Sequence, residues 1–219
     1  LQAAEQRILA SLDHPNIIQV FDLGEHQSDL FMVMEYVPGC DLEELLARHP
    51  LSLASALAVG QDVAGAIAVA RQNGLVHGDI KAANVLVSEE GRAKLTDFGL
   101  SAVKTETAST TKTDQASGTV RWMAPELFQR QRRRRRGQAA TDEITTVNRY
   151  KKADMYSYGM VLWELASRDI PYSDEANETL ILTWISQGEI EEIPEDCPQS
   201  FAALISKCWE MRPEARPTI

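Results

Sequence analysis

The feature that most constrains this chain is a pair of short polar motifs joined by a strand–turn–strand pattern. The first motif reads His-Gly-Asp-Ile-Lys-Ala-Ala-Asn at residues 77–84, and the second reads Asp-Phe-Gly at residues 97–99. Between them, residues 85–87 and 93–96 have the apolar character of strands, and Glu-Glu-Gly at 89–91 predicts a tight turn. A hairpin of this length returns the aspartate of the second motif to the asparagine of the first.

Four side chains in this window have the chemistry that phosphoryl transfer needs. Asn84 and Asp97 offer the sparse amide and carboxylate oxygens that Mg²⁺ binds when phosphates complete its coordination. Asp79 then remains as a general base, and Lys81 as a positive charge for a phosphate. The two motifs therefore predict a phosphoryl-transfer site.

These motifs resemble those of the protein kinase superfamily. Its catalytic loop reads His-Arg-Asp-Leu, then three or four residues and Asn, and its metal motif reads Asp-Phe-Gly. Ala-Pro-Glu at residues 124–126, Asp154 at the start of an apolar helix and Arg216 near the end follow in the family's order. The resemblance thus covers nearly the whole chain.

The resemblance implies an α+β, two-lobed, protein-kinase-like fold with an incomplete N-terminal lobe and a mainly helical C-terminal lobe. The partial first lobe would be residues 1–37, and the second lobe residues 38–219. Within the second lobe, residues 77–84 would form the catalytic loop and residues 97–126 the activation segment. An arginine-rich insertion at about residues 128–150 fits no part of the family's pattern.

The resemblance also assigns roles around the reacting groups. Asp79 would accept the proton of a protein hydroxyl, while Lys81 would offset charge on the transferring phosphoryl group of ATP. Asn84 and Asp97 would hold ATP through Mg²⁺, with Mn²⁺ as an alternative, and Thr119 would help Lys81 to orient the base. The residues with structural or activating roles would be Glu5, His77, Phe98, Glu126, Asp154 and Arg216.

Two of these structural roles can be stated more closely. Glu126 and Arg216 would form a buried ion pair that steadies the loop on the substrate side. Asp154 would hold the backbone of the catalytic loop, because a carboxylate in a buried helix needs a partner. Simple capping of the helix dipole is the alternative for Asp154.

The junction after the second strand-like run would bind adenine. The carbonyl of Glu35 and the amide of Val37 would be its partners, and Leu86 would lie beneath the ring. Pro38 has no N–H group, which independently favours Val37 as the donor. Asp41 would bond the ribose hydroxyls or cap the following helix, and these two interpretations are compatible.

The start of the chain predicts a helix and two strands. Apolar residues recur at helical spacing through residues 1–12, with Glu5 on the same stripe. Strand-like runs follow at residues 17–23 and 30–36, joined by a polar turn at 24–29. In kinases the glutamate pairs with a lysine from a preceding strand, and neither that lysine nor the glycine-rich loop precedes it here. We therefore expect a fragment of a longer protein, which alone would hold ATP poorly.

Two helices should build the core of the second lobe. One apolar face should run along the helix that ends at Asn73-Gly74, and residues 154–166 are apolar almost all round and should be buried. The residues predicted for the first face are Leu53, Ala56, Leu57, Gly60, Val63, Ala64 and Ile67.

Substrate class and regulation follow from departures within the motifs. Lys81 with Gly-Thr at residues 118–119 resembles the serine/threonine arrangement, whereas Ala-Ala-Asn at 82–84 and Trp-Met-Ala-Pro-Glu at 122–126 resemble the tyrosine-kinase branch. This mixture is typical of the tyrosine-kinase-like group (Raf-like and mixed-lineage-like), most of which modify Ser or Thr. A tyrosine or dual-specificity kinase is the alternative. Gly78 replaces the arginine that grips a phosphorylated loop, so activity should not depend strongly on the hydroxyls of residues 105–117.

Charge and cysteine content limit the other classes. The 219-residue chain carries a net charge of −10, and the six arginines within residues 130–136 leave the remainder at −16. That acidity disfavours nucleic-acid binding by the folded body. The arginine run predicts a solvated insertion, with docking of an acidic partner or nuclear localisation as alternatives. Three cysteines without metal-ligand spacing, and no signal peptide or membrane span, predict a cytoplasmic protein.

Two functions of other classes remain open on the sequence alone. A pseudokinase scaffold would share the fold and bind partners without turnover, and the unseen strand lysine is the residue that would separate it from an enzyme. A nucleic-acid-binding module would act through the arginine run. The sequence leaves the oligomeric state and the protein substrate open.

Overall fold

The computed structural model describes residues 11–27, 29–98, 119–128 and 143–219. Within these residues, two small antiparallel sheets and two helices occupy the first half of the chain, and the remaining helices follow, which confirms the predicted α+β class. The strands are β1 (Val20–His26), β2 (Asp29–Met34), β3 (Gly39–Asp41), β4 (Val85–Ser88) and β5 (Ala93–Leu95). The helices are α1 (Leu42–Arg48), α2 (Leu53–Gln72), α3 (Glu143–Ser167), α4 (Glu178–Gln187) and α5 (Gln199–Cys208). Short 3₁₀ turns cover Ala82–Asn84, Val120–Trp122 and Pro213–Ala215.

The predicted hairpin between the two motifs is confirmed. β4 and β5 pair antiparallel with Val85 opposite Leu95, and β3 pairs with the other side of β4. One step beyond the ladder, the Thr96 N–H donates to the Asn84 carbonyl at 3.0 Å. The chain therefore delivers Asp97 beside Asn84, because two paired strands keep residues of equal register adjacent.

The first two strands differ from the prediction. β1 and β2 form a two-stranded ribbon that pairs through His26 and Asp29, so residues 24–26 are strand rather than turn. The residues before β1 pair elsewhere: Ile17 bridges to Leu95, and the Ile18 N–H donates to the Leu95 carbonyl at 3.0 Å. Ile17 and Ile18 are buried, so their apolar side chains pack against the core below β5 rather than in the ribbon.

Helix α2 ends at Gln72 with Asn73 as its cap, as predicted, but its buried face is rotated. Leu53 and Leu57 are exposed, whereas Asp62 is buried. The Asp62 carboxylate accepts two hydrogen bonds from Arg92, at 2.8 and 2.9 Å, and one from the Ala93 N–H at 2.9 Å. These bonds turn the helix face that carries Asp62 toward β5. The buried residues of α2 are Ala56, Val59, Gly60, Asp62, Val63, Ala66, Ile67 and Ala70.

Among the described residues, α2 is also the one helix long and apolar enough to cross a membrane by length and composition. A core helix passes the same test. The charged partners of its Asp62 and its packing against α3 and β5 show that α2 serves as a core helix in this fold.

Helix α3 begins eleven residues earlier than predicted, at Glu143. Asp154 therefore lies inside the helix and not in its first turn, which rules out the alternative that it caps the helix dipole. The helical start also shortens the predicted insertion, since residues 143–150 belong to α3. The arginine run at residues 130–136 lies outside the described residues.

Helix α3 is the centre of the helical part and packs against both α2 and α5. The Tyr158 hydroxyl donates to the Gly60 carbonyl at 3.0 Å. At the contact with α5, a Cβ added to Gly159 would lie 2.8 Å from the Cβ of Cys208, so only glycine allows this approach. Two segments that carry predicted site residues, 77–84 and 119–126, are hydrogen-bonded to side chains of this central helix.

Candidate active site

The catalytic loop, residues 77–84, is held from below by α3. The Asp154 carboxylate accepts the His77 N–H at 3.0 Å on one oxygen and the Gly78 N–H at 2.8 Å on the other. Burial raises the pKa of Asp154 to about 6, although the two N–H groups and the positive charge of Arg71 oppose the shift. The predicted contact between Asp154 and the loop backbone is thus present.

Gly78 has a backbone conformation suited to glycine. Its φ is +76°, in the left-handed region that other residues rarely adopt. The backbone of the loop therefore favours glycine at position 78, where many kinases have arginine. Replacing it with arginine would strain the backbone as well as add a charge.

His77 is buried beneath the loop and links it to the second motif. Its Nε2 lies 2.7 Å from the Thr96 carbonyl, and its Nδ1 accepts the Asp79 N–H at 3.2 Å. These partners require a neutral ring with the proton on Nε2, and burial lowers the pKa of His77 to about 4, in agreement. The ring also packs against Phe98, with centroids 4.6 Å apart.

Asp79 is oriented through one of its two carboxylate oxygens. Its Oδ2 accepts a hydrogen bond from Asn84 Nδ2 at 3.2 Å and lies 3.5 Å from Lys81 Nζ. Asn84 Nδ2 also donates to the Asp79 carbonyl at 2.7 Å. Oδ1 is buried and has no hydrogen-bond partner among the described residues. One oxygen is therefore fixed, while the other is available to a group that enters the site.

Lys81 joins the catalytic loop to the segment at residues 119–126, which we call the substrate-side segment. Lys81 Nζ donates to Thr119 Oγ1 at 3.2 Å. Thr119 precedes the 3₁₀ turn Val120–Trp122 as its N-terminal cap residue. The structure thus brings together three residues predicted for the same chemistry, Asp79, Lys81 and Thr119.

The second motif lies beside the first, as the hairpin requires. Asp97 follows directly after Thr96, whose N–H is bonded to Asn84. Its φ of +62° is left-handed, a strained conformation that clusters at functional sites in proteins. Phe98 is buried against His77, so the motif is anchored through its aromatic residue. Gly99 lies outside the described residues.

Two of the residues predicted to bind the nucleoside, Asp41 and Leu86, lie on the paired strands β3 and β4. Asp41 and Leu86 are directly opposed in the β3–β4 ladder, and Asp41 caps α1 by accepting the Glu44 N–H at 2.8 Å. Capping of the helix by Asp41 is thus confirmed. Glu35 follows β2 directly, where its N–H donates to the Gln19 carbonyl at 2.9 Å and its carboxylate accepts from Lys94 Nζ at 2.8 Å. The adenine partners named for this junction stay a prediction.

Glu126 and Arg216 form the predicted ion pair at the end of the substrate-side segment. The two nitrogens of the Arg216 fork donate to the two Glu126 oxygens at 2.6 and 2.9 Å. Arg216 is fully buried, donates to the Lys152 carbonyl at 2.8 Å and lies 5.2 Å from the centre of the Tyr156 ring. The pair joins the segment to α3 and to the last turn of the chain.

Three contacts of this segment were not predicted. Trp122 Nε1 donates to Glu164 Oε2 at 2.8 Å, the Ser157 hydroxyl donates to the Trp122 carbonyl at 2.8 Å, and Arg121 binds carbonyls of the loop after α3. Burial raises the pKa of Glu164 to about 8. Spacing along the sequence carries no signal for these contacts, because each joins residues 35 or more positions apart.

Some predicted residues fall outside the part of the chain that the structure describes. These are Glu5, the loop hydroxyls at residues 105–117 and the arginine run at residues 130–136. Within the described residues, no group of three or more His, Cys, Asp or Glu side chains is placed to hold a metal ion. The predicted metal ligands, Asn84 and Asp97, are two, as expected for an ion whose coordination phosphates would complete.

Comparison with known proteins agrees with this geometry. The family described as protein tyrosine and serine/threonine kinase matches residues 2–219. The serine/threonine-protein kinase PrkC of Bacillus subtilis is 38% identical over 213 residues, which are 95% of this chain and 30% of that protein. The probable serine/threonine-protein kinase drkD of Dictyostelium discoideum is 33% identical over 218 residues, 98% of this chain and 15% of that protein.

A plant protein gives a similar result. The serine/threonine-protein kinase STY17 of Arabidopsis thaliana is 29% identical over 215 residues, which are 97% of this chain and 34% of that protein. The chain therefore spans about a third or less of the length of these relatives.

Proposed function

This chain belongs to the protein tyrosine and serine/threonine kinase family, and from that premise we propose that it transfers the γ-phosphoryl group of ATP to a serine or threonine hydroxyl of a protein substrate. The observation that carries the proposal is the state of Asp79. One of its oxygens is held by Asn84 and Lys81, and the other is buried without a partner among the described residues. A buried carboxylate oxygen without a partner is costly unless a ligand uses it.

In the proposed mechanism Asp79 acts as the base. Its Oδ1 accepts a hydrogen bond from the substrate hydroxyl and takes the proton as the hydroxyl oxygen attacks the γ-phosphorus. The bond between the γ-phosphorus and the bridging oxygen breaks at the same centre, and ADP leaves with that oxygen. Lys81 lies beside Asp79, so its positive charge is near the phosphoryl group when that group is transferred to the hydroxyl bound at Asp79. The hydrogen bond from Lys81 to Thr119 limits the movement of the lysine side chain. Transfer of this kind depends mainly on positioning and electrostatic stabilisation, and these residues are positioned before substrate arrives.

The donor set suits a divalent metal. Asn84 uses its amide nitrogen to bond Asp79, which leaves the amide oxygen as the atom for a metal, and Asp97 adds a carboxylate on the neighbouring strand end. Hard oxygen donors of this type match Mg²⁺, and Mn²⁺ as the alternative. A metal held by Asn84 and Asp97 would neutralise part of the charge on the phosphates of ATP.

The preference for serine and threonine rests on the Lys81–Thr119 bond and on the relatives, whose names describe serine/threonine kinases. We also propose that the chain belongs to the tyrosine-kinase-like group, because its catalytic loop and the sequence before Glu126 combine features of both branches. Analysis of the phosphorylated amino acids in the product tests the first proposal. Phosphotyrosine as the main product would contradict it.

The test of catalysis is Asp79→Asn in the complete protein that carries this chain. We expect the rate of γ-phosphoryl transfer to a protein substrate to fall by a factor of about 10²–10⁴, which is the rate lost when a positioned base is removed. Binding of Mg-ATP should persist, because Asn84 and Asp97 are unchanged.

The matched control is Asp13→Asn, which removes an exposed carboxylate and should leave the rate unchanged. Wild-type protein that binds Mg-ATP but transfers no phosphate would favour the pseudokinase alternative. Full activity of the Asp79 variant would remove the base assigned here.

A further inference from the structure

Arg121 binds three backbone carbonyls of a single loop. Its Nη1 donates to the Pro171 carbonyl at 2.7 Å and to the Tyr172 carbonyl, and its Nη2 donates to the Glu175 carbonyl at 2.8 Å. The loop connects α3 to α4. A planar guanidinium suits such an arrangement, because its donors are fixed in one fork.

The loop that receives Arg121 is itself well anchored. Tyr172 has a left-handed φ of +55°, its N–H donates to a Glu191 carboxylate oxygen, and its hydroxyl donates to the Glu189 carbonyl at 3.2 Å. The Tyr172 ring also lies 6.4 Å from the ring of Trp184 in α4. Helix α4 in turn packs against the turn Val120–Trp122. Arg121 therefore ties the substrate-side segment to a fixed part of the helical region.

The other side of the same turn is held by α3. Glu164 accepts from the Trp122 indole, and Ser157 donates to the Trp122 carbonyl. The turn is therefore anchored on two sides, by Arg121 to the loop after α3 and by Trp122 to α3 itself. Thr119 stands at the start of this turn, and the Trp122 N–H donates to its carbonyl at 3.2 Å. The position of the Thr119 hydroxyl, which Lys81 contacts, depends on the turn as a unit.

We propose that Arg121 is a positioning residue that fixes the substrate-side segment for the protein substrate. It acts through the turn on Thr119 and Lys81, and it touches neither reactant. The proposal rests on the proposed kinase function and adds to it a means of ordering the segment. The three bonds that carry the proposal all end on backbone carbonyls.

The experiment compares Arg121→Ala and Arg121→Lys with wild type in the complete protein, by steady-state kinetics against a protein substrate and against ATP. The KM for the protein substrate should rise about tenfold, the equivalent of one lost charge-assisted hydrogen bond, while the KM for ATP stays the same. Lysine keeps the charge but cannot reach three carbonyls, so it should behave like alanine. Arg48→Ala is the control, because Arg48 is exposed and pairs only with Glu44 among the described residues.

Hydrogen exchange gives a second measurement that does not depend on turnover. In the alanine variant, exchange should accelerate at residues 119–127 and 171–176 more than in the rest of the protein. Should the alanine variant not fold, Arg121→Gln takes its place, since glutamine removes the charge and the fork but keeps two donors.

The outcomes separate this inference from the proposed function. An unchanged KM for the protein substrate together with unchanged exchange would overturn the role of Arg121. Full recovery by lysine would also overturn it, since charge alone would then suffice. A wild-type protein that transfers no phosphoryl group would contradict the proposed function. The exchange measurement would still test whether Arg121 anchors the substrate-side segment.

Discussion

The catalytic loop and the substrate-side segment both rest on α3, but they are held by different chemistry. The catalytic loop is held through its backbone, because both oxygens of Asp154 accept N–H groups of the loop. The substrate-side segment is held mainly through its side chains, by Arg216 on Glu126 and by Glu164 on Trp122. Backbone anchoring tolerates changes of side chain in the loop, whereas side-chain anchoring ties the segment to particular residues.

The two regions also differ in how their buried groups respond to pH. In the catalytic loop, the pKa of His77 is lowered to about 4. The pKa of Asp154, the α3 residue that binds this loop, is raised to about 6. As the pH falls below 6.5, the unfolded state binds a proton at His77 before the folded state does, which lowers the free energy of unfolding. Between about pH 6 and 4 the folded state binds a proton at Asp154 before the unfolded state does, which raises the free energy of unfolding. These two effects oppose each other. Glu164, with its pKa raised to about 8, makes the other region depend on pH up to that value.

The strongest test of side-chain anchoring is Glu126→Ala. The change leaves the fully buried charge of Arg216 without its bidentate partner. Removing one member of a buried pair costs about 3–5 kcal/mol, so the free energy of unfolding should fall by that amount in urea denaturation. Glu44→Ala breaks the exposed pair with Arg48 on α1 and should cost less than about 0.5 kcal/mol. Equal losses in the two variants would show that burial of the pair adds nothing.

Backbone anchoring is tested by Asp154→Ala, the next largest effect. The N–H groups of His77 and Gly78 would lose their acceptor inside the protein. We expect a loss of about 2–3 kcal/mol in the free energy of unfolding, and a lower rate of phosphoryl transfer because Asp79 follows directly in the loop. Asp154→Asn keeps one acceptor oxygen and should lose less of both. An alanine variant with wild-type stability would show that the loop needs no acceptor from α3.

The difference in pH response is tested by Glu164→Gln. The folded pKa of Glu164 lies above its ordinary value of 4.5, so its stabilising contribution is complete below about pH 4.5 and is lost as the pH rises through about 8. Glutamine keeps an acceptor for Trp122 and stays neutral. Between pH 6.5 and 8.5 the variant should therefore lose less stability than wild type, by an amount on the order of 2 kcal/mol. Urea denaturation at several pH values measures this, with the exposed Glu89→Gln as control.

The sequence predicts the catalytic loop more fully than it predicts the contacts of the substrate-side segment. The catalytic loop and its partner motif are local patterns separated by one hairpin, and strand pairing turns their spacing into contact. Asp154, Glu126 and Arg216 could be identified because the resemblance to kinases covers them in order. Arg121, Ser157 and Glu164 carry no such pattern, since ordinary residue types acquire their role only when α3 and the loop after it are packed.

The errors in the fold have physical causes too. The apolar pattern predicts too late a start for α3, because residues 143–152 are mostly polar and lack an apolar stripe. Packing of the later turns stabilises a helix whose first turns the pattern does not reveal. The spacing of apolar residues predicts the wrong face of α2, because it gives no weight to an aspartate that is buried with partners. Arg92 and the Ala93 amide supply the partners that make Asp62 a core residue, and they are 30 and 31 positions away in the sequence.

The smallest effect concerns a single hydrogen bond to the backbone of the substrate-side segment. Ser157→Ala removes the donor that reaches the Trp122 carbonyl at 2.8 Å, and the indole of Trp122 keeps its own bond to Glu164. We expect the free energy of unfolding to fall by about 1 kcal/mol, the net value of one such bond. Ser206→Ala is the matched control, because among the described residues that exposed hydroxyl bonds only to the Ala202 carbonyl of its own helix. A Ser157 effect no larger than that of Ser206 would mean that side chains alone, without this backbone bond, hold the segment to α3.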